Sequence, residues 1–189
     1  MKTSTIGKIV FAAILGASSA SAIADSGDSA ARFGIGAARV QVDMDDYDVK
    51  GSGTGWEIIA GWEFNRYLAI EASYLDAGNV NDKVYFDGLG EVKLKADTNA
   101  VTASVIGTLP INAMFGVYGR AGIMHWKSKQ SASAFGQSVS LGDFDGDDGI
   151  FGVGVAAEIE TALLRLEYRI AKLKDSDLSA ASLSLVWRF

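Results

Sequence analysis

The chain has 189 residues, a formal net charge of −6, 22 glycines, one proline and no cysteine. Without cysteine it can form neither a disulfide scaffold nor a lipidated cysteine anchor, and an acidic chain that lacks a basic cluster argues against a nucleic-acid partner. Beyond the amino terminus no stretch offers 18 uninterrupted apolar residues, so the composition excludes a helical membrane protein.

Residues 1–24 are typical of a secretory signal peptide. Two lysines precede a short apolar core, and small residues offer cleavage after Ala22 or after Ala24. An apolar run this short cannot span ~30 Å of hydrocarbon, so the pattern favours a removed signal over a membrane anchor. Residues 25–189 then form one domain, and loss of the two lysines changes the formal charge from −6 to −8.

Eight segments of alternating apolar and polar residues follow. Successive side chains of a strand point to opposite faces, so alternation places one row on each side of a sheet. Strands of only ~9–11 residues can cross a bilayer when they are tilted. The predicted strands are 33–43, 54–64, 67–77, 94–109, 114–127, 149–160, 163–173 and 179–189.

The connections between these segments alternate in length. Tight turns are predicted at Asn65-Arg66, around Pro110 and at Thr161-Ala162. Short turns on one rim, long loops on the other and an even strand count are the plan of an outer-membrane barrel. The long connections, rich in Gly, Asp and Ser, are 44–53, 78–93 and 128–148.

Two segments do not fit this pattern cleanly. In the first strand Phe33 and Ile35 share the parity of Arg39 and Gln41, which predicts either a bulge or inward-pointing apolar groups. The apolar residues of 159–173 also fit a helical stripe. A helix there would break the even strand count and leave the last strand without a neighbour, so we retain strands.

The aromatic residues of the apolar faces sort into two belts. Two aromatic girdles that flank an aliphatic band are typical of rings at lipid–water boundaries, so the apolar face is predicted to contact lipid. With the amino terminus in the periplasm, the external belt comprises Trp56, Tyr74 and Phe151. The periplasmic belt comprises Phe64, Phe115, Trp187 and Phe189.

Three stretches carry a resemblance to a known family. Pro110-Ile111-Asn112, followed by Tyr118-Gly119-Arg120-Ala121-Gly122-Ile123-Met124-His125-Trp126, resembles the eight-stranded membrane domain of outer-membrane protein A, and Arg165-Leu166-Glu167-Tyr168 is similar to the same family. The resemblance implies an all-β, eight-stranded antiparallel up-and-down transmembrane barrel in the cell outer membrane. It also implies insertion by the barrel assembly machinery, which would read Trp187 and Phe189 in the aromatic final strand.

The resemblance further implies a lumen filled by charged side chains. By motif position Glu71 and Arg165 belong to that network, and Glu158 joins it after a shortened turn. Where the family has a lysine in the fourth strand, this chain has Ser104-Val105, so the network differs. Long members continue into a peptidoglycan-binding domain, whereas this sequence ends at Phe189, so we expect a barrel-only relative.

Alternation alone predicts a larger set of inward charges. An eight-strand interior is just wide enough for side chains to fill, and buried charges must be paired, which favours a structural plug over an ion gate. The predicted inward carboxylates are Glu57, Glu63, Glu71, Glu158, Glu160 and Glu167. The predicted inward guanidiniums are Arg39, Arg120, Arg165, Arg169 and Arg188.

Asp143, Asp145, Asp147 and Asp148 imitate a calcium-binding loop. The match fails because the sixth position is Asp148 rather than glycine and the twelfth is Gly154 rather than glutamate. We therefore expect a solvated acidic loop and no metal site.

His125 is the only histidine, so a site with two histidine ligands is excluded. Barrel enzymes that modify lipid A use a histidine and a serine near the external rim. The nearest hydroxyl, Ser128, lies three residues on and points to the opposite face of a continuous strand. The sequence predicts no catalytic residue and no cofactor.

The sequence therefore predicts a non-enzymatic outer-membrane barrel that stabilises the envelope and displays its loops, chiefly 78–93 and 128–148. Its expected partners are outer-membrane lipid and lipopolysaccharide, the assembly machinery during insertion, and an unknown extracellular partner at the loops. Three alternatives remain open: a narrow porin-like channel gated by lumen Glu/Arg pairs, a lipid A-modifying enzyme, and a soluble periplasmic barrel with inverted faces.

Overall fold

The computed structural model describes five parts of the chain. The predicted signal peptide and most of the first acidic loop lie outside them. No helix among the described residues is long and apolar enough to cross a bilayer. The described residues are 29–44, 49–86, 90–134, 137–173 and 176–189.

Eight antiparallel strands close into a barrel in which each strand pairs with its neighbours in sequence and the first pairs with the last. This arrangement confirms the predicted up-and-down fold, and the helical alternative over 159–173 is wrong because that segment pairs as a strand on both sides. The strands are β1 (Ala30–Met44), β2 (Val49–Asn65), β3 (Leu68–Phe86), β4 (Gly90–Pro110), β5 (Phe115–Ala134), β6 (Gln137–Ile159), β7 (Ala162–Leu173) and β8 (Ser176–Arg188).

Strand β1 contains no bulge. Its register with β2 and with β8 runs without a shift, and Phe33 and Ile35 lie outside the barrel, 44% and 51% exposed. Arg39 and Gln41 lie on the same outward face. A charge is acceptable there because these two residues lie further along the strand, beyond the apolar belt. The prediction of a bulge or inward apolar groups, and the inward assignment of Arg39, are both wrong.

The connections at one end of the barrel are tight turns, and those at the other end extend the strands. Residues 78–86 and 128–134, predicted as loop, continue β3 and β5, and 137–148 begin β6. Strand β6 has 23 residues, about twice the ~9–11 that a tilted crossing requires. The barrel wall therefore continues past the apolar belt at this end, which we call the long-hairpin end.

The outward surface carries the apolar residues and the inward surface the charges. Val105, Ile123, Val153, Leu166 and Leu183 lie outward on β4 to β8 and are 49–66% exposed. Charged side chains are buried inside. A soluble barrel would have the inverted arrangement, so that alternative is excluded.

Both aromatic belts lie where the alternation placed them. Phe64, Phe115 and Phe189 are exposed at the short-turn end. Trp56 and Phe151 are exposed toward the long hairpins, and the rings of Trp56 and Tyr74 lie 5.6 Å apart, centroid to centroid. The outer surface thus has two aromatic girdles around an aliphatic band, as amphipathic rings at a bilayer require.

The interior contains a charged layer and, toward the long hairpins, an apolar layer. The apolar layer draws inward residues from seven of the eight strands, and Trp126 packs against it. Its members are Ala38, Val40, Leu75, Ala77, Ala100, Met124, Ile150, Ala171, Leu178 and Ala180.

Candidate functional site in the charged lumen

Glu71 on β3 lies at the centre of the charged layer. Arg165 on β7 donates to both of its carboxylate oxygens, at 2.6 Å and 3.2 Å. Arg120 on β5 donates at 2.9 Å, and Arg32 on β1 donates a longer bond of 3.4 Å. Three guanidiniums from three strands therefore converge on one carboxylate, which ties distant parts of the barrel wall together.

Glu167 on β7 is a second centre. Arg120 donates to it through Nε at 2.7 Å and Nη2 at 3.2 Å, the forked geometry that makes guanidinium–carboxylate pairs strong. Arg165 lies 3.3 Å away, and the Tyr118 hydroxyl donates at 2.8 Å. The Arg165 guanidinium also lies over the Tyr118 ring, 4.9 Å from its centroid, a favourable cation–π contact.

Arg169 joins these centres to the side of the layer nearer the long hairpins. Its Nη2 donates to the Glu57 carboxylate at 2.7 Å and 2.8 Å and lies 2.7 Å from the Ser182 hydroxyl oxygen. Its Nε lies 3.2 Å from Glu167, close enough for an ion pair, although this N–H is not aligned for a hydrogen bond.

At the short-turn end the network reaches the rim. Arg32 donates through Nε at 2.7 Å to Glu63, and Arg188 lies 3.8 Å from the same carboxylate. Arg188 also pairs with Glu158. The Glu158 side chain is 43% exposed, so it lies at the rim and not among the buried charges where the resemblance placed it.

Eight of these charged residues are buried, and we call them the lumen network. Four carboxylates and four guanidiniums give it a net charge of zero. Neutrality is required here because a desolvated charge without a partner is strongly destabilising. The members are Arg32, Glu57, Glu63, Glu71, Arg120, Arg165, Glu167 and Arg169.

The sequence placed most of these residues correctly on the inward face but missed two contributors. Arg32 precedes the predicted start of the first strand, although its parity with the inward Gly34 was a usable signal. Tyr118 belongs to one of the stretches that carry the family resemblance, but it was not assigned to the lumen. Its parity with Arg120 was a usable signal that its hydroxyl points inward. Glu160, predicted to face inward, is exposed in the β6–β7 turn with a φ of 53°.

Some polar atoms of the charged layer have no hydrogen-bond partner among the described residues: Nη1 of Arg120, Nε of Arg165 and the Ser104 hydroxyl. Ser104 lies directly across from Glu71 in the β3–β4 register. This is the part of the fourth strand in which the resemblance to outer-membrane protein A would place a lysine. Glu71 thus receives its cations from β1, β5 and β7 and none from β4.

A cavity of about 240 Å³ lies below the network at the short-turn end. Arg32, Glu63 and Arg165 close its inner side, and Arg66 and Arg188 lie nearer the rim. The cavity does not reach the long hairpins, because the lumen network and the apolar layer lie between them.

Residues 143–148, predicted to be a solvated acidic loop, form part of strand β6. Asp143, Asp145 and Asp147 lie on the outward face, whereas Asp148 is on the opposite parity and accepts a 2.7 Å bond from the Trp126 indole. The four carboxylates therefore do not converge. Among the described residues no group of three His, Cys, Asp or Glu side chains could hold a metal ion.

His125 lies on the outward face of β5, with Nδ1 2.9 Å from an Asp147 carboxylate oxygen. The Ser128 hydroxyl is buried on the inward face, where it lies 3.0 Å from the Thr98 hydroxyl. The histidine and the nearest hydroxyl are thus on opposite sides of the wall, as the alternation predicts.

A closed β-barrel with lipid-compatible apolar faces, two aromatic girdles and a charged interior is a transmembrane barrel of the outer-membrane class. The chain belongs to the outer membrane protein beta-barrel domain family, whose model matches residues 9–189. It is an outer-membrane protein. Because short turns are periplasmic in such barrels, the long hairpins are external.

Solved structures support the same fold. The attachment invasion locus protein Ail of Yersinia pestis, solved in complex with the heparin analogue sucrose octasulfate, is 22% identical, with a TM-score of 0.60 over 86% of this chain and 100% of Ail. Neisserial surface protein A is 15% identical, with a TM-score of 0.60 over 84% of this chain and 97% of its own. OprG of Pseudomonas aeruginosa is 14% identical, with a TM-score of 0.54 over 87% and 96%. A search of curated proteins found no significant match.

Proposed function

We propose that this protein is a non-enzymatic barrel that stabilises the outer membrane and displays a β-sheet above the cell surface. The observation that supports this function is the filled lumen. In the periplasmic half the eight residues of the neutral lumen network are each 7% exposed or less, and in the external half the residues of the apolar layer are each 8% exposed or less. Together these two layers would close the lumen. A barrel closed by two layers is suited to a mechanical and display role, in which the external surface is the part that partners can reach.

The displayed surface is formed by the long hairpins β3–β4 and β5–β6. Ail was solved with a polyanionic heparin analogue. The outward face of β6 presents Asp143, Asp145 and Asp147, and like charges repel. A polyanion of that kind is therefore disfavoured at β6, and a different partner class is expected there.

The other proposed partners are the lipids around the barrel and the machinery that exports and inserts the chain. Lipid and lipopolysaccharide would cover the apolar band between the aromatic girdles. The signal peptide 1–24 would direct export, after which the assembly machinery would read the final strand. Phe189 supports that role: the residue is 75% exposed, and its N–H donates to the Ala31 carbonyl at 3.0 Å, which extends the pairing of β8 with β1.

Cysteine labelling of intact cells tests both orientation and display, because the native chain contains no cysteine. Lys129 is exposed on β5 in the part of the long hairpins beyond the apolar belt, which we call the external extension. Lys129→Cys should therefore react with a membrane-impermeant maleimide. Ala113→Cys in the β4–β5 turn, also exposed, should react only after the outer membrane is permeabilised. Labelling of Ala113→Cys but not Lys129→Cys in intact cells would contradict the proposed function.

A narrow channel is the second candidate, and a specific observation favours it. Arg120 Nη1 and Arg165 Nε are buried donors without a described partner, so the network retains hydrogen-bonding capacity for water or for a rearranged pair. The absence of a β4 cation opposite Glu71 argues against a simple exchange of partners. Conductance measurements separate the two functions and are developed in the Discussion.

A lipid A-modifying activity is the third candidate, and it depends on His125. The first serine of β5 that shares the outward face of His125 is Ser131, six residues or about 20 Å along the strand. The His125–Asp147 pair therefore has no serine nucleophile within reach on β5. We expect mass spectra of lipid A to be the same with the wild-type protein, with His125→Ala and without the protein. A modified lipid A that disappears with His125→Ala would establish the enzyme and overturn the non-enzymatic function.

A further inference from the structure

Strand β6 has a free edge above the barrel. Its pairing with β5 continues to Gln137 at the tip of the hairpin, whereas its pairing with β7 ends at Ile150, opposite Ala171. The cause is the short β7–β8 hairpin, which turns back after Leu173. Residues 137–149, which we call the β6 edge, therefore have a neighbouring strand on one side only among the described residues.

A free edge exposes a row of backbone N–H and C=O groups that can template another strand. The β6 edge is partly protected. A register shift separates its tip from the rest of the strand near Gly142, where φ is 126°. Below that point the segment from Asp143 to Gly149 continues in regular register with β5, so it is the part that can accept a partner strand.

The outward face of this segment continues a charge pattern that crosses the sheet. In one row Asp97 on β4, Lys129 on β5 and Asp143 on β6 lie directly opposite one another, and all three are exposed. In the next row Lys127 lies opposite Asp145. Opposite charges on directly paired strands are favourable and like charges are not, so a strand added beyond Asp143 and Asp145 would be favoured if it carried cations there.

The inward face of the segment favours an apolar side chain. Phe144 is 48% exposed on that face. The Trp126 indole lies over Gly146, 3.0 Å from where a Cβ would be, and is held by its bond to Asp148. An apolar residue placed beside Phe144 would cover exposed aromatic surface, which is a favourable cross-strand contact.

We propose that the β6 edge binds an extended segment of an extracellular protein by strand addition, and that this segment has Lys or Arg at alternate positions with apolar residues between them. The proposal rests on the proposed function, because the edge must be displayed outside the cell. A second copy of this chain is a poor partner, since two antiparallel β6 edges would set the acidic row Asp143, Asp145 and Asp147 of one copy against the same row of the other.

The probe is a short capped peptide of alternating lysine and valine, titrated against the folded barrel in lipid nanodiscs. Alternate N–H groups of a strand point to the same side, so two further peptides are N-methylated on one set of alternate residues or on the other. Strand addition predicts that one N-methylated peptide binds about as well as the parent and that the other loses at least tenfold in affinity. Equal binding by both N-methylated peptides would overturn the proposal in favour of nonspecific charge attraction.

Asp145→Asn and Asp97→Asn form a matched pair of variants on the same extension, and only Asp145 borders the β6 edge. We expect Asp145→Asn to weaken peptide binding by about two- to fivefold, in the range of a cross-strand charge pair, and Asp97→Asn to leave it unchanged. Equal losses would contradict strand addition. If Lys129→Cys is labelled in intact cells but no peptide binds, the proposal fails and the display function stands. If that cysteine is not labelled, the display function itself fails.

Discussion

Replacing Glu71 with alanine should lower the free energy of unfolding by about 3–5 kcal/mol, the usual cost of removing one partner of a buried ion pair. Arg32, Arg120 and Arg165 would lose a shared carboxylate, and the interior would acquire a net positive charge out of contact with bulk water. Urea unfolding of the barrel in lipid vesicles, followed by its heat-dependent shift on a detergent gel, measures this loss.

Two variants determine whether the cost comes from charge pairing. Glu158→Ala removes a carboxylate of the rim, where the pair with Arg188 is partly exposed, and should cost about 1 kcal/mol or less. The double variant Glu71→Ala/Arg165→Ala keeps the interior neutral, so it should cost less than the sum of the two single variants. Equal losses for Glu71→Ala and Glu158→Ala would contradict a structural role for the lumen network.

The strand segments that cross the lipid were predictable because one face of each strand contacts apolar lipid and the other faces the charged lumen. On β7 the alternation of Leu164 and Leu166 with Arg165 and Glu167 assigns every side chain to lipid or lumen without further information. The same alternation placed Glu57 and Arg169 inside. Which carboxylate meets which guanidinium depends on strand stagger around the closed barrel, and the sequence of one chain does not specify it.

The external extension was not predictable by the same criterion. Above the membrane both faces of a strand contact water, so the apolar–polar alternation disappears. Residues 137–149 contain five glycines or aspartates in succession from Asp145 to Gly149, a composition typical of loops. Their strand conformation comes from register pairing with β5. For the same reason the outward position of Arg39 was missed, because a charge on the lipid-facing parity is acceptable once the strand has left the bilayer.

The two closed layers of the lumen lead to a conductance prediction. Wild-type protein in planar bilayers should show no steady current. Glu71→Ala/Arg165→Ala widens the charged layer and leaves the remaining guanidiniums with carboxylates, as in the pairs Arg120–Glu167 and Arg169–Glu57. The apolar layer is unchanged in this variant, so we expect it to remain closed.

Leu75→Ser/Met124→Ser makes the complementary change. Both side chains are buried in the apolar layer, and their replacement admits water to the external half of the lumen while the lumen network still closes the periplasmic half. The lumen network and the apolar layer lie in series, so either of them alone is enough to block the ion current. Only the combination of all four substitutions should therefore give discrete current steps. Steps from wild-type protein or from Glu71→Ala/Arg165→Ala alone would show that the apolar layer does not exclude ions, and the protein would then be a narrow channel gated by its Glu/Arg pairs.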